Sequence, residues 1–149
     1  MKLSTRSRYG TRLMLDLAIH YGQGSIMLKD IAKRQAVSLK YLSQIIIPLK
    51  GAGMVLSVRG AHGGYTLAKT PEMVTLREIV ETLEGDTSIL DCVHESASCK
   101  RSGSCVMRDV WCRLDGTIAS FLEGITLRTL VDNSRKYEKN DTKYHAMTF

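Results

Sequence analysis

A pair of short helical segments followed at once by a glycine-rich hairpin is the feature that most constrains the fold. Residues 28–35 and 39–50 have the apolar spacing of amphipathic helices, and Ser38 is a good N-cap for the second of them. Residues 54–67 are typical of two short strands with a glycine-rich loop at 59–64. Two helices joined by a tight turn and followed by a hairpin predict a winged helix-turn-helix.

The other periodic segments predict a mainly α protein in which this small β-hairpin is the sheet. Residues from about 8 to 21 have the spacing of an opening helix, and Leu39 is expected to point into the core. Residues 75–78 have the spacing of a capping box, which predicts a helix that closes the domain. We therefore assign residues 1–85 to a winged helix-turn-helix DNA-binding domain.

Basic residues are concentrated in the first half of the chain. Residues 1–70 hold 11 Lys and Arg against Asp16 and Asp30 alone, whereas residues 71–149 hold 10 Lys and Arg and 13 Asp and Glu. Uncompensated Lys and Arg are typical of a domain that neutralises phosphates, although a solvated basic surface has the same composition. No Gly-Lys-Ser/Thr follows the glycine-rich loop, which disfavours a nucleotide site and favours DNA.

A longer helix, from about 106 to 123, has an apolar stripe at spacings of three and four residues. This pattern is typical of a helix that packs along another helix. We expect a homodimer seam that matches a palindromic operator, with packing inside one chain as the alternative. Residues 106–131 are assigned to this dimerisation helix and a short terminal helix, and residues 132–149 to a disordered tail. The stripe comprises Met107, Trp111, Leu114, Ile118, Phe121 and Ile125.

All four cysteines lie in one window, as Cys92-x6-Cys99-x5-Cys105-x6-Cys112, and residues 86–105 are assigned to a cysteine-rich loop. Clustered cysteines in a reducing compartment indicate metal or redox chemistry more often than disulfides. The paired knuckles of structural zinc sites are missing from this window. The spacing alone still leaves an iron-sulfur cluster, zinc and unliganded redox thiols open.

Other protein classes are disfavoured. No apolar run approaches the roughly 18 residues needed to cross a bilayer, and the start of the chain lacks the apolar region of a signal peptide. We therefore expect a cytoplasmic protein without membrane contact. No nucleophile or carboxylate pair accompanies the histidines in the sequence, so we expect no enzyme; these histidines are His20, His62, His94 and His145.

Residues 1 to about 131 resemble the bacterial Rrf family of winged-helix regulators, and within it the iron-sulfur cluster regulators of the IscR type. The arginine-glycine wing combined with the three-cysteine loop is the most specific part of the match. The motifs outside that loop are Leu3-Ser4-x3-Arg8-Tyr9, Ile31-Ala32-x5-Ser38-x2-Tyr41-Leu42-x-Gln44, Val58-Arg59-Gly60-x2-Gly63-Gly64-Tyr65-x-Leu67 and Ile125-Thr126-Leu127-x2-Leu130-Val131.

The resemblance implies a dimeric transcription factor that binds double-stranded promoter DNA and a 2Fe-2S cluster. The cluster state would change which promoters are bound, including those of iron-sulfur cluster biogenesis genes, and the iron-sulfur assembly machinery is a candidate partner. Whether the protein acts as a repressor or an activator at each promoter stays open.

By the same resemblance, Cys92, Cys99 and Cys105 are the thiolate ligands of the cluster. The fourth ligand does not carry over. The cluster regulators of this family have a histidine three residues after the third cysteine, and this chain has Arg108 there, which stays protonated. Cys112 and His94 are the candidates within the chain. If Cys105 and Cys112 share one helix, they lie about 10 Å apart, too far for one small cluster unless Cys105 precedes the helix.

The DNA-binding residues are expected in three groups. The recognition helix would face the major groove, where Gln44 can pair with adenine, and Arg59 would enter the minor groove from the wing. The amino-terminal residues would position the phosphate backbone. Ser43 replaces the acidic residue of the best-known cluster regulator, so promoter selection can differ. The full set is Ser38, Lys40, Tyr41, Ser43 and Gln44 on the helix, Arg59 on the wing, and Ser4, Arg6 and Tyr9.

Two other functions compete with a cluster-sensing regulator. A cluster-free regulator of the same fold would respond to thiol redox state, cysteine metabolism or nitric oxide. An iron-sulfur electron carrier or assembly protein is weaker, because neither activity explains a basic domain with a wing.

Overall fold

The structure, a computed structural model, describes residues 3–146, with side chains described through residue 137. Within these residues the chain forms helices α1 (Thr5–Ile19), α2 (Leu28–Gln35), α3 (Leu39–Gly51), α4 (Leu76–Glu84), α5 (Asp91–His94), α6 (Val106–Glu123) and α7 (Leu127–Ala146), and strands β1 (Val55–Val58) and β2 (Gly64–Leu67). Short 3-10 turns lie at Pro71–Met73 and Ser96–Ser98.

Helices α1, α3 and α4 pack around the core, and the start of α7 packs against α1. Capping residues explain where two of these helices begin: Ser38 accepts a hydrogen bond from the Tyr41 amide, and Thr75 and Glu78 form a reciprocal capping box. The predicted mainly α fold with a small β-hairpin is confirmed. Among the described residues, no helix is both long enough and apolar enough to cross a membrane.

The hairpin is held by a third segment of chain. Strands β1 and β2 are antiparallel, beginning with the pair Val55 and Leu67. Ahead of α2, the Ile26 amide donates to the Tyr65 carbonyl at 2.9 Å, and the Tyr65 amide donates back at 2.8 Å. Gly64 lies so close to the Ile26 carbonyl that a Cβ atom would overlap it, which explains the glycine. The wing is therefore fixed to the α1–α2 connection as well as to α3.

Two local predictions differ from the structure. Helix α1 begins at Thr5 rather than near residue 8, because Ser4 is its N-cap and accepts from the Ser7 amide at 3.3 Å. The prediction that Leu39 points into the core is wrong, since its side chain is 47% exposed. As the first residue of α3, Leu39 leans toward the amino-terminal end of the helix and so past the edge of the core.

The prediction of a disordered tail from residue 132 is wrong for residues 132–146, which continue α7; residues 147–149 lie outside the described residues. An ion pair one turn apart, Arg128 to Asp132 at 3.4 Å, supports the helix on its surface. The polar composition of these residues therefore led to a wrong prediction, because the helix is held in place by its amino-terminal end.

That anchor also changes the predicted domain boundary. Leu127 is fully buried and Val131 is 3% exposed, both in the core of the winged domain. The Leu127 amide donates to the Val74 carbonyl at 2.9 Å, next to the start of α4. Residues 106–131 were expected to form the dimerisation region, but Leu127 and Val131 at the start of α7 pack into the core of the winged domain instead.

A buried carboxylate ties α1 to α2. Asp16 is 3% exposed and accepts from the Arg34 guanidinium through both oxygens, at 2.6 and 3.0 Å, and from Gln35 Nε2 at 3.0 Å. Burial alone would raise the pKa of Asp16, but the hydrogen bonds from Arg34 and Gln35 outweigh it and lower the pKa below its usual value. This contact sets the position of the first helix of the helix-turn-helix.

Asp16→Asn is expected to lower the free energy of unfolding at pH 7 by about 1–3 kcal/mol, because charge-assisted hydrogen bonds are lost while Arg34 keeps access to water. The folded-state pKa of Asp16 is below its unfolded value, so the stabilisation is present above about pH 4 and is lost as the pH falls through the folded value. Urea unfolding of both proteins from pH 7 toward pH 3 measures the difference in free energy of unfolding, with Asp30→Asn at an exposed position as the control. A difference that stays constant over this pH range would contradict the prediction.

Candidate nucleic-acid interface and cysteine loop

The outer face of α3 presents the predicted base-contacting side chains. Lys40, Ser43 and Gln44 are all exposed, and their spacing places them on one side of the helix, away from buried Leu42. The Ser43 hydroxyl donates to the Leu39 carbonyl at 2.8 Å, so its oxygen is left as an acceptor. Helix α3 contains no acidic residue, which leaves this face favourable for a polyanion.

Ser38 and Tyr41 have structural partners at the start of the same helix. The Ser38 side chain caps α3, as described above, and Tyr41 is half-buried. The Tyr41 hydroxyl hydrogen-bonds with the Thr5 hydroxyl at 3.0 Å, and its ring packs edge-to-face on Tyr9 with centroids 6.0 Å apart. The amino-terminal ends of α1 and α3 therefore lie next to each other.

The start of α1 adds positive charge beside α3. Arg6 is exposed, and the guanidinium groups of Arg8 and Arg12 lie over the Tyr9 ring at 5.5 and 5.6 Å from its centroid. Ser4 is engaged as the N-cap of this helix. The sequence prediction did not single out exposed Arg8 for this surface. Arg12 is half-buried instead, and its guanidinium donates to the Gln35 side chain at 2.9 Å and to the Gln35 carbonyl at 3.2 Å.

The wing carries Arg59, which is exposed in the loop between β1 and β2. The loop is braced from the α1–α2 connection, where the Ser25 hydroxyl donates to the His62 carbonyl at 2.7 Å. A serine in a glycine-containing connecting segment gives no sequence signal for such a role. The brace limits how far the loop can move away from the recognition helix.

The structure distributes the four cysteines over the loop and α6. Cys92 lies in α5, Cys99 directly follows the second 3-10 turn, Cys105 is the N-cap of α6, and Cys112 lies within α6. All four are half-buried free thiols. Among the described residues, no three His, Cys, Asp or Glu side chains come together in an arrangement that could hold a metal ion. The expected thiolates are thus near one another in sequence but are not gathered around one point.

Arg108 connects two of the expected ligands. Its Nε atom donates to the Cys92 carbonyl at 2.9 Å, and its backbone amide donates to the Cys105 carbonyl at 3.1 Å. Arg108 is half-buried, in the first turn of α6. Arg108, which stands where the resemblance to cluster regulators implied a histidine ligand, therefore links α5 to the start of α6.

The two candidates for the fourth ligand occupy different places. His94 lines a cavity of about 520 Å³ between α4 and α6, together with Arg77 and Asp115. Two residues along α5 correspond to about 200° of rotation, so His94 and Cys92 lie on different sides of that helix. Cys112 shares the half-buried side of α6 with Arg108, whereas Cys105 precedes the helix as its N-cap, which is the case in which the separation expected within one helix does not apply.

Helix α6 presents an apolar face that its own chain leaves uncovered. None of its 18 residues is buried, and its inner side contacts α4 and α5. Trp111 and Ile118 of the predicted stripe are half-buried, while Val110 joins the exposed face. The most exposed apolar side chains of the helix are Val106 at 80%, Phe121 at 67%, Met107 at 48%, Val110 at 47% and Leu114 at 45%.

A comparison with protein-family models matches residues 3–133 to Rrf2, described as an iron-dependent transcriptional regulator. The chain belongs to the Rrf2 family. Protein rrf2 of Nitratidesulfovibrio vulgaris is 39% identical over 140 residues, which cover 94% of this chain and 93% of that protein. The resemblance stated from the sequence motifs is therefore confirmed.

Two solved structures of named Rrf2-family regulators have the same fold. The structure of CymR, the global cysteine regulator of B. subtilis, has a TM-score of 0.77 and 34% identity, over 89% of this chain and 98% of that one. IscR of T. potens has a TM-score of 0.75 and 39% identity, over 90% and 88% of the two chains. The predicted winged helix-turn-helix is confirmed, and this Rrf2 chain is a DNA-binding transcriptional regulator by family.

The donor chemistry of this Rrf2 chain fits an iron-sulfur cluster. Thiolates are the usual protein ligands of such clusters, and three of the four free thiols lie within one loop made of one short helix and a 3-10 turn. Cys105 stands at the amino-terminal end of α6, where the helix dipole is favourable for an anionic ligand. Closure of the three thiolates around one group would require the loop to move, because they do not converge in this structure.

Proposed function

We propose that this Rrf2-family protein is a cytoplasmic, homodimeric, sequence-specific transcriptional regulator that senses iron-sulfur cluster status through a 2Fe-2S cluster and controls iron-sulfur cluster biogenesis genes. The observation that carries the proposal is the placement of two expected ligands beside α6: Cys105 is its N-cap, and the carbonyl of Cys92 in α5 accepts from Arg108 of α6. A change in the loop there acts directly on the helix whose outer face is uncovered.

Promoter recognition is assigned to the α3 face and the wing. Gln44 has the donor and acceptor needed for adenine in the major groove, Lys40 and Ser43 flank it, and Arg59 suits a narrow minor groove. The exposed Arg6 and Arg8 at the start of α1 would contact phosphates, which fix the register of the protein without distinguishing bases.

Dimerisation is assigned to α6. An 18-residue helix without a buried residue gains little from its own chain, and helices of this kind owe most of their stability to packing of an apolar face. A second copy supplies the same apolar face, and a two-fold pair of α6 helices would present two recognition helices to a palindromic site.

Cys92, Cys99 and Cys105 would hold the cluster, and a fourth ligand would come from Cys112, His94 or a group outside the chain. When bound, a 2Fe-2S cluster would supply a one-electron redox centre. Oxidative breakdown of the cluster or depletion of iron would remove that centre. In the protein itself, a movement of the cysteine loop would change how α5 packs on α6. The iron-sulfur assembly machinery is the proposed source of the cluster.

The decisive experiment is to purify the protein anaerobically, record its visible absorption and count its iron and acid-labile sulfide. About two irons and two sulfides per chain, with an operator preference that changes on cluster loss, are expected. A colourless protein that stays empty after anaerobic reconstitution would overturn cluster sensing while leaving the regulator assignment in place.

A cluster-free regulator is the second candidate, and one observation favours it. The described cysteines are free and half-buried but do not converge, which suits thiols that respond individually to oxidants or to the state of cysteine metabolism. The similarity to CymR adds weight to this candidate. In that case DNA binding should change with thiol oxidant in the iron-free protein, and should not change with iron supply.

Arg59→Ala is expected to weaken operator binding about tenfold while leaving the fold unchanged, because the exposed guanidinium is lost from the wing but Ser25 still braces the loop. Fluorescence anisotropy with an operator duplex measures the affinity, and the slope of affinity against salt should fall by about one. Lys69→Ala, outside the wing, is the control. Unchanged affinity and slope would remove Arg59 from the DNA-contacting surface.

A further inference from the structure

The recognition helix carries an aliphatic side chain that the core does not use. Ile47 is 66% exposed, whereas its neighbours Ile45 and Ile46 are buried. It follows Gln44 by three residues and Lys40 by seven, so it lies on the same outer side of α3. The DNA-facing stripe of α3, defined as Lys40, Ser43, Gln44 and Ile47, therefore ends in an apolar residue.

A single exposed isoleucine on a protein surface needs no special cause, so its position carries the argument. Ile47 continues a stripe of three polar side chains on a helix without acidic residues, in the basic half of the chain. Contact of such a face with DNA would bury Ile47 against the duplex. In the major groove, the apolar group that base pairs present is the 5-methyl group of thymine.

We propose that Ile47 contacts a thymine methyl group in the operator and so determines specificity at that base pair. The proposal rests on the assignment of α3 as the recognition helix. Three residues of α helix advance about 4.5 Å, slightly more than the 3.4 Å between stacked base pairs. The thymine therefore lies one or two base pairs from the position that depends on Gln44.

The first step of the test is to identify the operator sequence. The wild-type protein, prepared anaerobically, selects binding sequences from a pool of random duplexes, and each thymine of a selected site is then replaced singly by deoxyuridine. That replacement removes one methyl group and keeps the hydrogen-bonding edge. Burial of one such group changes affinity about fourfold, which sets the expected loss at the thymine that Ile47 contacts.

Ile47→Ala should bind the thymine and deoxyuridine duplexes equally at that position, while still discriminating at every other one. The matched control is Lys40→Ala on the same stripe, which should weaken binding to both duplexes and keep the fourfold difference. Gln44→Ala locates the adjacent position, since it should relax the preference for adenine there.

The outcomes separate this proposal from the assignment on which it rests. Enrichment of no sequence by the wild type would overturn the DNA-binding assignment and Ile47 with it. Selected sites in which wild type and Ile47→Ala respond identically to every deoxyuridine substitution would overturn the proposal for Ile47 alone. A change of oligomeric mass in Ile47→Ala would also overturn it, by assigning the residue to contact between copies of the chain.

Discussion

Replacement of Cys92 by alanine is expected to abolish cluster binding. Anaerobically reconstituted Cys92→Ala should contain at least tenfold less iron and sulfide per chain than the wild type, and should lack its visible absorption. The physical reason is that three of the proposed cluster's ligands would come from one loop, so loss of one thiolate would leave the irons without a full ligand set. The proposed dimer and the wing should not be affected, because Cys92 contacts α6 through its backbone carbonyl, which alanine retains.

The control for Cys92→Ala is Ser98→Ala, which changes an exposed loop residue next to Cys99 and should keep the full iron and sulfide content. Operator selection measured on the same samples should stop depending on iron supply in Cys92→Ala and remain dependent in the control. Cys92→Ala with two irons, two sulfides and unaltered absorption would show that Cys92 is not a ligand.

The parts of the fold that the sequence predicted well are those set by local chemistry. Ser38 caps α3, and Thr75 with Glu78 caps α4, because the side chains that satisfy the first free amides lie within three residues of them. The hairpin was predictable for a similar reason, since its turn requires glycine at defined positions.

The parts that the sequence did not predict depend on distant residues. Val131 ends the predicted short terminal helix, and its place in the core of the winged domain depends on the packing of α7 on α1. The pairing of Ile26 with Tyr65 joins segments almost 40 residues apart, and neither has a pattern that indicates the other. Leu39 and Ile47 show the same limit within one helix, because apolar character alone does not tell which side chains face inward.

The candidate site divides in the same way. Residue type and spacing were sufficient to find the polar members of the stripe on α3, which are Lys40, Ser43 and Gln44, together with Arg59 on the wing and the cysteine window. The departure at Arg108 was also visible in the sequence, but its contact with the Cys92 carbonyl depends on how α5 docks on α6. Arg108, which in the sequence only marks the absence of a histidine ligand, is therefore a structural link between the loop and α6.

If α6 forms the proposed dimer seam, Phe121→Glu should convert that dimer to a monomer and weaken operator binding by a factor of about 10²–10⁴. Phe121 is 67% exposed on the uncovered face of α6, where a dimer would bury it, and a glutamate there would place unpaired charge in an apolar contact. Two linked recognition helices bind a palindrome far more tightly than one, which sets the size of the loss. Light scattering gives the mass, and fluorescence anisotropy gives the affinity.

The control for this dimer test is Met73→Glu, because Met73 is similarly exposed, at 64%, but lies outside α6. The same change from an apolar side chain to a carboxylate should there leave both mass and affinity unchanged. Circular dichroism should show both variants folded, since neither side chain is part of the core. If Phe121→Glu kept the mass of a dimer, the apolar face of α6 would have to bind something other than a second copy. Cluster-dependent changes in the loop would then act on the recognition helices by another route.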